Sequence, residues 1–445
     1  MPPRLPARAP DDQTLSISAL HDAYARGLTP DAVLALIHDR LARLDDPGIF
    51  LHLAPPAART LPAFDPARFP LWGIPVAVKD NIDVAGMPTT AACPAFARTP
   101  DASAAAVERL EAAGALILGK TNLDQFATGL VGVRTPYLVP RNACAPDRVP
   151  GGSSSGSAVA VAQGLASLAL GTDTAGSGRI PAALNGIVGL KPSVGAIPTR
   201  GVVPACPSLD CVSVFATGVA DAMTAFDVMA GPDPADPWSR PLAAQTTPIR
   251  RLGVPRAEDL FLDEAPMRPA WSTTHAAAAT LLPTEPVDLT PFLTAARMLY
   301  EGAFVAERDA AFGDVWRADP DAVHPVIARI LATAAPFTAT DAFRALHRMA
   351  ALKAETRPVW AEVDALLVPS APNFPTLADL AADPITPNAR IGTYTNFVNL
   401  MDLTALAIPG PRRADGLPFG ITLIGPRGSE SGLADLATRL QEALQ

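Results

Sequence analysis

Cysteine and histidine are scarce in this chain of 445 residues, which contains four cysteines and six histidines. A disulfide framework for a chain of this length would need more cysteines, and a structural zinc site would normally show a CxxC pair, which is absent. None of the histidines lies between residues 70 and 215. We therefore expect reduced thiols in a cytoplasmic protein and no bound metal.

Positive charge and long apolar runs are also lacking. Lys and Arg number 35 against 44 Asp and Glu, which gives a formal net charge of −9 at pH 7. A nucleic-acid surface would need a basic stripe, and a membrane span about 18 uncharged apolar residues in a row. The first residues, MPPRLPARAPDDQT, lack the apolar core of a secretory signal. We expect no nucleic acid and no membrane among the partners.

The pattern of the first half indicates an α/β fold. With 49% hydrophobic residues the chain can bury a large core. Thr29 as N-cap and Pro30 at the next position begin a helix with apolar residues at helical spacing. Residues 74–78 are typical of a short buried strand, and DASAAAVERLEAAG followed by ALILGK of a helix and a strand. This strand–helix–strand alternation predicts α/β architecture.

The second half is less regular. We predict a strand at 167–170 and helices at 291–312 and 340–363. Later strands are predicted in DALLVPS and GLPFGITLIGP, and a closing helix in SGLADLATRLQEAL. The Pro- and Ala-rich region 230–290 gives no interpretable pattern.

Residues 150–183 combine serine and glycine with an apolar centre, as in PGGSSSGSAVAVAQGLASLALGTDTAGSGRIPAA. A flexible linker would be polar throughout, so this segment is folded. A phosphate-binding loop would need GxxxxGK[ST], and a dinucleotide site GxGxxG, and the segment has neither. The remaining interpretation is a nucleophilic serine, which needs a base because a free hydroxyl is a poor nucleophile.

Lys79, at the end of the predicted strand GIPVAVKD, is the candidate base. Burial disfavours the charged ammonium, so a buried lysine has a lowered pKa and can accept a proton. The alternative is a structural lysine that reaches solvent or pairs with Asp80 or Asp83. For an isolated lysine that alternative would be preferred.

Three blocks of sequence surround this lysine and the serines. They are GIPVAVKDNIDVAGMPTTAAC, GGSSSGSA and GTDTAGSGRIPAALNGIVGLKP. Their order and spacing resemble the amidase signature family of serine amidohydrolases, and the likeness covers most of the chain. The resemblance implies an α/β/α sandwich around a large mixed β-sheet. It also implies a mechanism that needs no metal or organic cofactor.

The resemblance implies one amidase-signature domain over residues 1–445. Within it we expect an N-terminal helical arm at about 12–45 and a catalytic core at about 70–230. A helical region at about 290–365 is expected to form the substrate pocket.

The family's Ser–Ser–Lys triad maps onto three residues of this sequence. Ser177, in TAGSG, matches the nucleophile, and Ser153 matches the bridging serine, which in the family follows a cis peptide bond. Lys79 matches the base, which when neutral accepts a proton from Ser153 as that residue takes one from Ser177. Backbone N–H groups are expected to bind the oxyanion. These would belong to Thr174, Ala175, Gly176 and Ser177.

Other residues of these blocks are expected to play supporting roles. Ala175 stands where many family members have glycine, and no loss follows because the backbone amide remains. Ser154 and Ser155 are interpreted as supporting hydroxyls of the glycine-rich loop. Asp173 is expected to orient the loop, and Arg179 to pair with a local carboxylate or carbonyl.

Two further blocks, ARMLYEGAFVAERDAAF and ARIGTYTNFVNLMDLTALAIP, resemble the allophanate hydrolase branch of the family. The resemblance implies that Arg308 binds a substrate carboxylate and that Tyr300 forms a hydrogen bond with the substrate. On one straight helix the two side chains would lie roughly two turns and about 80° apart. The alternatives are a surface ion pair of Arg308 with Glu307 and simple helix packing of Tyr300.

Asn396 and Asn399, in the second of these blocks, are candidates for shaping the substrate pocket. A role in a turn or in core hydrogen bonds is an equal alternative for both.

The resemblance therefore implies hydrolysis of allophanate, a small anionic amide, to ammonia and N-carboxycarbamate. Alternatives are a general or biuret-type amidase and the glutaminase subunit of a tRNA-dependent amidotransferase. A non-catalytic binding subunit is a third possibility. A homodimer is compatible with the family.

Members of the allophanate hydrolase branch commonly carry a further C-terminal domain that processes N-carboxycarbamate. This chain ends shortly after the amidase part, so we expect that decarboxylating domain to be absent. Either the sequence was trimmed, or the second step falls to a separate protein or needs no catalyst. A third interpretation is that the substrate is a related ureide or biuret-type amide.

Overall fold

The computed structural model describes residues 13–54, 61–243 and 248–444. Residues 1–12 lie outside the described residues. They include most of MPPRLPARAPDDQT, for which no secretory signal is expected. The predicted start of the N-terminal arm at residue 12 and the last residue, 445, lie outside the described residues as well.

A large mixed β-sheet forms the centre of the fold. The described residues contain one sheet of 11 strands in the order β1-β3-β2-β4-β6-β5-β10-β11-β9-β7-β8. In chain order the strands are β1 Phe50–Leu53, β2 Pro75–Lys79, β3 Leu116–Thr121, β4 Leu168–Asp173, β5 Val188–Lys191, β6 Cys211–Ala216, β7 Leu252–Pro255, β8 Thr284–Val287, β9 Ala365–Pro369, β10 Leu403–Pro409 and β11 Gly420–Pro426.

Helices cover the sheet. They are α1 Ile17–Ala25, α2 Pro30–Leu44, α3 Ala105–Ala112, α4 Ser155–Ala162, α5 Arg179–Asn185, α6 Val219–Met229, α7 Met267–Leu281, α8 Thr290–Glu301, α9 Val305–Ala318, α10 Pro325–Ala332, α11 Ala339–Glu355, α12 Arg357–Glu362, α13 Leu377–Ala382, α14 Thr386–Ile391, α15 Phe397–Leu400 and α16 Glu430–Ala443. Helices α4 and α5 contact each other and the sheet, and α6 contacts the sheet as well as α3 and α16. The predicted α/β/α sandwich around a mixed sheet is confirmed.

Strand direction places the predicted catalytic residues at one edge of the sheet. Strand β2 pairs in parallel with both β3 and β4, and β6 runs antiparallel to β4. The carboxyl ends of β2 and β4 and the start of β6 therefore lie together. All residues of these three strands are buried, which fits their continuous apolar sequences.

Several local predictions are confirmed. Thr29 caps α2 by accepting a hydrogen bond from the Ala32 amide, with Pro30 at its first position. The strand predicted at 74–78 is found at Pro75–Lys79, and the one predicted at 167–170 at Leu168–Asp173. In the described part of the region 230–290, which gave no pattern, the structure contains β7, α7 and β8.

The single helix predicted at 291–312 is wrong. Two helices, α8 and α9, occupy this stretch. The first helix ends at Gly302, whose backbone is extended with φ −124° and ψ −175°. Glycine disfavours a helix interior, which is consistent with the end of α8 at this residue. The helix predicted at 340–363 is also two helices, because Thr356 separates α11 from α12 and a proline stands in the first turn of α12.

Within the described ranges, none of the helices combines the length and apolar character that a membrane crossing requires.

Candidate active site

Lys79 ends β2 with its side chain completely buried. Its Nζ donates hydrogen bonds to Ser153 Oγ and to Thr172 Oγ1, each at 2.7 Å. Burial lowers the pKa of Lys79 to about 7, although the carboxylates of Asp124 and Asp210 partly oppose this effect. The alternative of a structural lysine paired with Asp80 is wrong, because Asp80 pairs with Lys120 instead.

Ser153 lies in the glycine-rich loop that leads into α4. The peptide bond between Gly152 and Ser153 is cis, as the resemblance implied. The backbone amide of Asp124 donates a hydrogen bond to the Ser153 carbonyl at 3.0 Å, which holds the loop in place. A Cβ on Gly152 would lie 2.1 Å from Asp124 Oδ2, so only glycine fits there.

Ser177 lies in the turn between β4 and α5 and is buried. Its hydroxyl donates to the Gly129 carbonyl at 3.4 Å. Within the described residues no hydrogen bond joins Ser177 Oγ directly to Ser153 Oγ. The structure thus forms the link between Lys79 and Ser153, and the link to Ser177 stays a prediction.

The turn of residues 174–177, the predicted oxyanion turn, is held by a buried ion pair. Arg179 contacts Asp173 through Nε at 2.9 Å and Nη2 at 2.8 Å, and the Gly178 amide donates to the same carboxylate at 3.0 Å. Burial raises the pKa of Asp173, but the Arg179 guanidinium outweighs this and holds it below its ordinary value. The predictions that Arg179 pairs with a carboxylate and that Asp173 orients the turn are confirmed.

Gly176 has φ +142°, a conformation that favours glycine. A Cβ at this position would lie 2.4 Å from Thr395 Oγ1. Ala175 is buried and occupies the turn without a positive φ. The alanine therefore fits where the resemblance led us to expect glycine.

The remaining serines of the loop bond to backbone. Ser154 Oγ donates to the Thr172 carbonyl at 3.2 Å, and Ser155 Oγ donates to the Asn122 carbonyl at 3.4 Å. Their interpretation as supporting hydroxyls is confirmed.

Arg308 and Tyr300 meet because the chain turns between α8 and α9. Arg308 Nη2 donates to the Tyr300 hydroxyl at 3.1 Å, and the guanidinium lies 4.5 Å from the centre of the Tyr300 ring. The separation expected from one straight helix is wrong, since Gly302 ends α8 and lets α9 begin in a new direction.

Arg308 is completely buried, so the alternative of a surface ion pair is wrong. Glu307 instead accepts hydrogen bonds from the Ser208 amide at 2.7 Å and hydroxyl at 2.8 Å. Within the described residues, Arg308 Nε and Nη1 have no hydrogen-bond partner. A buried guanidinium with free N–H groups is suited to a negatively charged ligand.

Asn399 has the core hydrogen-bond role given as its alternative. Its Nδ2 donates to the carbonyls of Asp173 and Leu209 at 2.8 Å, and its Oδ1 accepts from Arg179 Nη2 at 3.3 Å. Asn396 is buried, and its Oδ1 has no hydrogen-bond partner within the described residues.

Sequence reasoning missed three side chains of this site. Thr172 accepts a hydrogen bond from Lys79, and Asn81 donates to the same Thr172 hydroxyl at 3.3 Å. Asp210 bonds to the Thr174 hydroxyl. A polar residue at the end of an apolar strand is the only signal that could have indicated Thr172.

The family model described as Amidase matches residues 34–433. The chain belongs to the amidase family. It is accordingly an amidohydrolase, an enzyme that splits an amide bond with water.

Known proteins similar to the chain carry several names. A Lachancea kluyveri protein named urea amidolyase is 46% identical over 84% of this chain and 21% of that protein. The structure of Kluyveromyces lactis allophanate hydrolase is 40% identical with a TM-score of 0.89, over 96% of this chain and 72% of that one. One of the subunits of glutamyl-tRNA(Gln) amidotransferase from Thermus thermophilus is 33% identical over 94% of this chain and 95% of that protein. The chain thus spans only about a fifth of the urea amidolyase.

Proposed function

We propose that the chain hydrolyses the terminal amide of allophanate (urea-1-carboxylate) and releases ammonia and N-carboxycarbamate. The buried Arg308, whose Nε and Nη1 have no hydrogen-bond partner in the described part of the chain, is the observation that carries this proposal. The similarity to proteins named urea amidolyase and allophanate hydrolase supports it.

The charges around Arg308 favour an anionic substrate. A buried charge is costly unless it is paired. The carboxylates that contribute to its electrostatic environment are Glu307 and Asp210, and both already accept hydrogen bonds from other groups. A substrate carboxylate would supply the missing partner, and the planar guanidinium and the Tyr300 hydroxyl would orient it.

We propose that Lys79, Ser153 and Ser177 form a proton relay. Neutral Lys79 takes the proton of the Ser153 hydroxyl, which takes the proton of Ser177 as Ser177 Oγ attacks the amide carbon. The carbon–nitrogen bond then breaks, and the relay returns a proton to the leaving nitrogen, which departs as ammonia. Water, activated by the same relay, hydrolyses the ester on Ser177. The 2.7 Å hydrogen bond and the lowered pKa of Lys79 support this assignment.

The backbone amides of Thr174, Ala175, Gly176 and Ser177 are proposed to bind the oxyanion. Preorganised N–H groups stabilise the negative oxygen of a tetrahedral intermediate, and removing one such donor typically costs about 100-fold or more in kcat. The ion pair between Asp173 and Arg179 supports a fixed turn.

A second candidate is the activity of a glutaminase that serves a tRNA-dependent amidotransferase. The similarity to the Thermus thermophilus protein, which extends over 95% of that protein, favours it. We rank the glutaminase activity second because Arg308 and Tyr300 belong to a block that resembles the allophanate hydrolase branch. A general or biuret-type amidase is the third candidate.

We further propose that the enzyme acts in the cytoplasm on a free small molecule, as one amidase-signature domain. A homodimer stays a prediction.

Ammonia release by the purified chain tests the proposed function. The substrates are allophanate, biuret, malonamate and glutamine, and Ser177→Ala serves as the inactive blank. The proposal requires the highest kcat/KM on allophanate. Preference for glutamine would select the second candidate, and preference for biuret or another neutral amide the third.

A further inference from the structure

Residues 204–210, here called the bridging loop, connect two parts of the site that the mechanism uses separately. The loop precedes β6, whose first residue pairs with Asp173 at the end of β4. One of its sides therefore faces the oxyanion turn. Its other side faces α9, which carries Arg308.

Asp210 fastens the bridging loop to the oxyanion turn. Its Oδ1 accepts a hydrogen bond from the Thr174 hydroxyl. Its Oδ2 accepts from the Ala205 amide at 2.8 Å and from the Cys206 amide at 3.1 Å. The side chain is buried, and its two carboxylate oxygens accept hydrogen bonds from these three donors of the protein.

The bridging loop also lies against α9 at Glu307 and Arg308. Ser208 donates two hydrogen bonds to Glu307, the residue before Arg308. Burial raises the pKa of the Cys206 thiol, and the charge of the nearby Arg308 guanidinium partly opposes this effect. A displacement of the loop would thus move the anion-binding group.

We infer that Asp210 is a positioning residue that couples the oxyanion turn at Thr174 to the carboxylate-binding Arg308. The inference rests on the proposed function, because it assigns the coupling to an anionic amide. Binding of a carboxylate at Arg308 and stabilisation of the oxyanion at the turn then depend on one buried carboxylate. The proton relay has no use for Asp210 as an acid or base.

Asp210 also acts on the proton relay through its charge. Its carboxylate is among the groups that keep the pKa of Lys79 from falling further. Burial raises the pKa of Asp210 to about 6, and the hydrogen bonds from Thr174, Ala205 and Cys206 oppose this effect. The other titratable or charged groups that interact with it are Glu307, Cys206, Cys211 and Arg308.

The test compares Asp210→Ala with Asp210→Asn and with the control Asp221→Ala. Asp221 is also a buried aspartate, but it belongs to α6 and accepts a hydrogen bond from the Ile17 amide of α1. Each variant is assayed on allophanate and on a neutral amide, with kcat expressed per active site after titration of the nucleophile. Counting active sites removes the effect of partial unfolding.

Asp210→Ala is expected to lower kcat about 100-fold on both substrates, because a small misplacement of catalytic groups has that effect. KM should rise for allophanate and stay unchanged for the neutral amide. Asp210→Asn should restore most of kcat, because its amide can donate to Thr174 and accept from the two backbone amides. With the negative charge gone, the acid limb of its pH profile should lie at lower pH than in the wild type.

Unchanged kcat and KM per active site in Asp210→Ala, or the same changes in Asp221→Ala, would overturn the inference. If Asp210→Ala does not fold, Thr174→Val is used instead, since it replaces the hydroxyl that bonds to Asp210 by a methyl group of similar size. It should lower kcat on both substrates, and an unchanged kcat would contradict the coupling. A wild-type preference for a neutral amide would refute the proposed function. The inference about Asp210 would still be tested in that case, because kcat of the variants on the neutral amide reports the positioning of the oxyanion turn.

Discussion

Lys79 Nζ lies 2.7 Å from Ser153 Oγ at the carboxyl end of two parallel strands, where water has no access to the amine. A lysine in this position loses hydration that a free ammonium would have, and its pKa falls to about 7. The same hydrogen bond thus joins a base near neutrality to a hydroxyl that can pass on a proton.

The first prediction concerns pH. Lys79 accepts a proton only when neutral, so kcat/KM should rise as the pH passes upward through about 7 and then level off. A neutral amide is the preferred substrate for this measurement, because its own charge does not change. Equal activity well below pH 7 would show that Lys79 is not the base.

The second prediction concerns Thr172, whose hydroxyl fixes the Lys79 amine. Thr172→Val removes one of the two side-chain hydrogen bonds of Lys79 and should lower kcat about tenfold, with KM little changed. Thr274→Val is the control, since Thr274 is also a buried threonine and its hydroxyl donates a hydrogen bond to the Ala270 carbonyl within α7. A loss of the same size in the control would show that the effect is not local.

The third prediction concerns the shape of the oxyanion turn. Gly176→Ala places a Cβ 2.4 Å from Thr395 Oγ1 on a residue with positive φ, so the turn must shift. We expect kcat to fall about 100-fold or more. Gly218→Ala, where a Cβ meets no atom within 4 Å, should retain wild-type kcat. Wild-type kcat in Gly176→Ala would contradict the assigned role of the turn.

The fourth prediction concerns stability. Arg179→Met leaves the Asp173 carboxylate buried without its ion-pair partner and should lower the free energy of unfolding by about 3–5 kcal/mol. Chemical denaturation measures this change. Arg297→Met, at an exposed position of α8, should change it by less than about 0.5 kcal/mol. Similar stability of the two variants would show that the buried pair does not hold the turn.

Local signals in the sequence were sufficient for the elements that carry their own start and stop residues. Helix α2 has a threonine cap and a proline in its first turn, and both are visible without a structure. Strands β7 and β8 have four residues each and depend on pairing with distant parts of the sheet. No local pattern could identify them.

The residues of the site also fall into those that the sequence predicted and those that only the structure identifies. Lys79, Ser153 and Ser177 were named because their blocks resemble a family, whereas composition alone left Lys79 with a structural alternative. Thr172 and Asp210 act through hydrogen bonds that exist only once β2, β4 and β6 lie side by side. The contact of Arg308 with Tyr300 requires the break at Gly302, which a regular helical period conceals.

The most direct test of the central claim is the effect of Arg308→Met on substrate preference. The ratio of kcat/KM for allophanate to kcat/KM for a neutral amide is measured in the wild type, in Arg308→Met and in the exposed control Arg297→Met. We expect the ratio to fall about 100-fold in Arg308→Met, because a buried charge-assisted contact contributes roughly 1.5–3 kcal/mol. We expect an unchanged ratio in the control. An unchanged ratio in Arg308→Met would contradict the assignment of an anionic amide to this site.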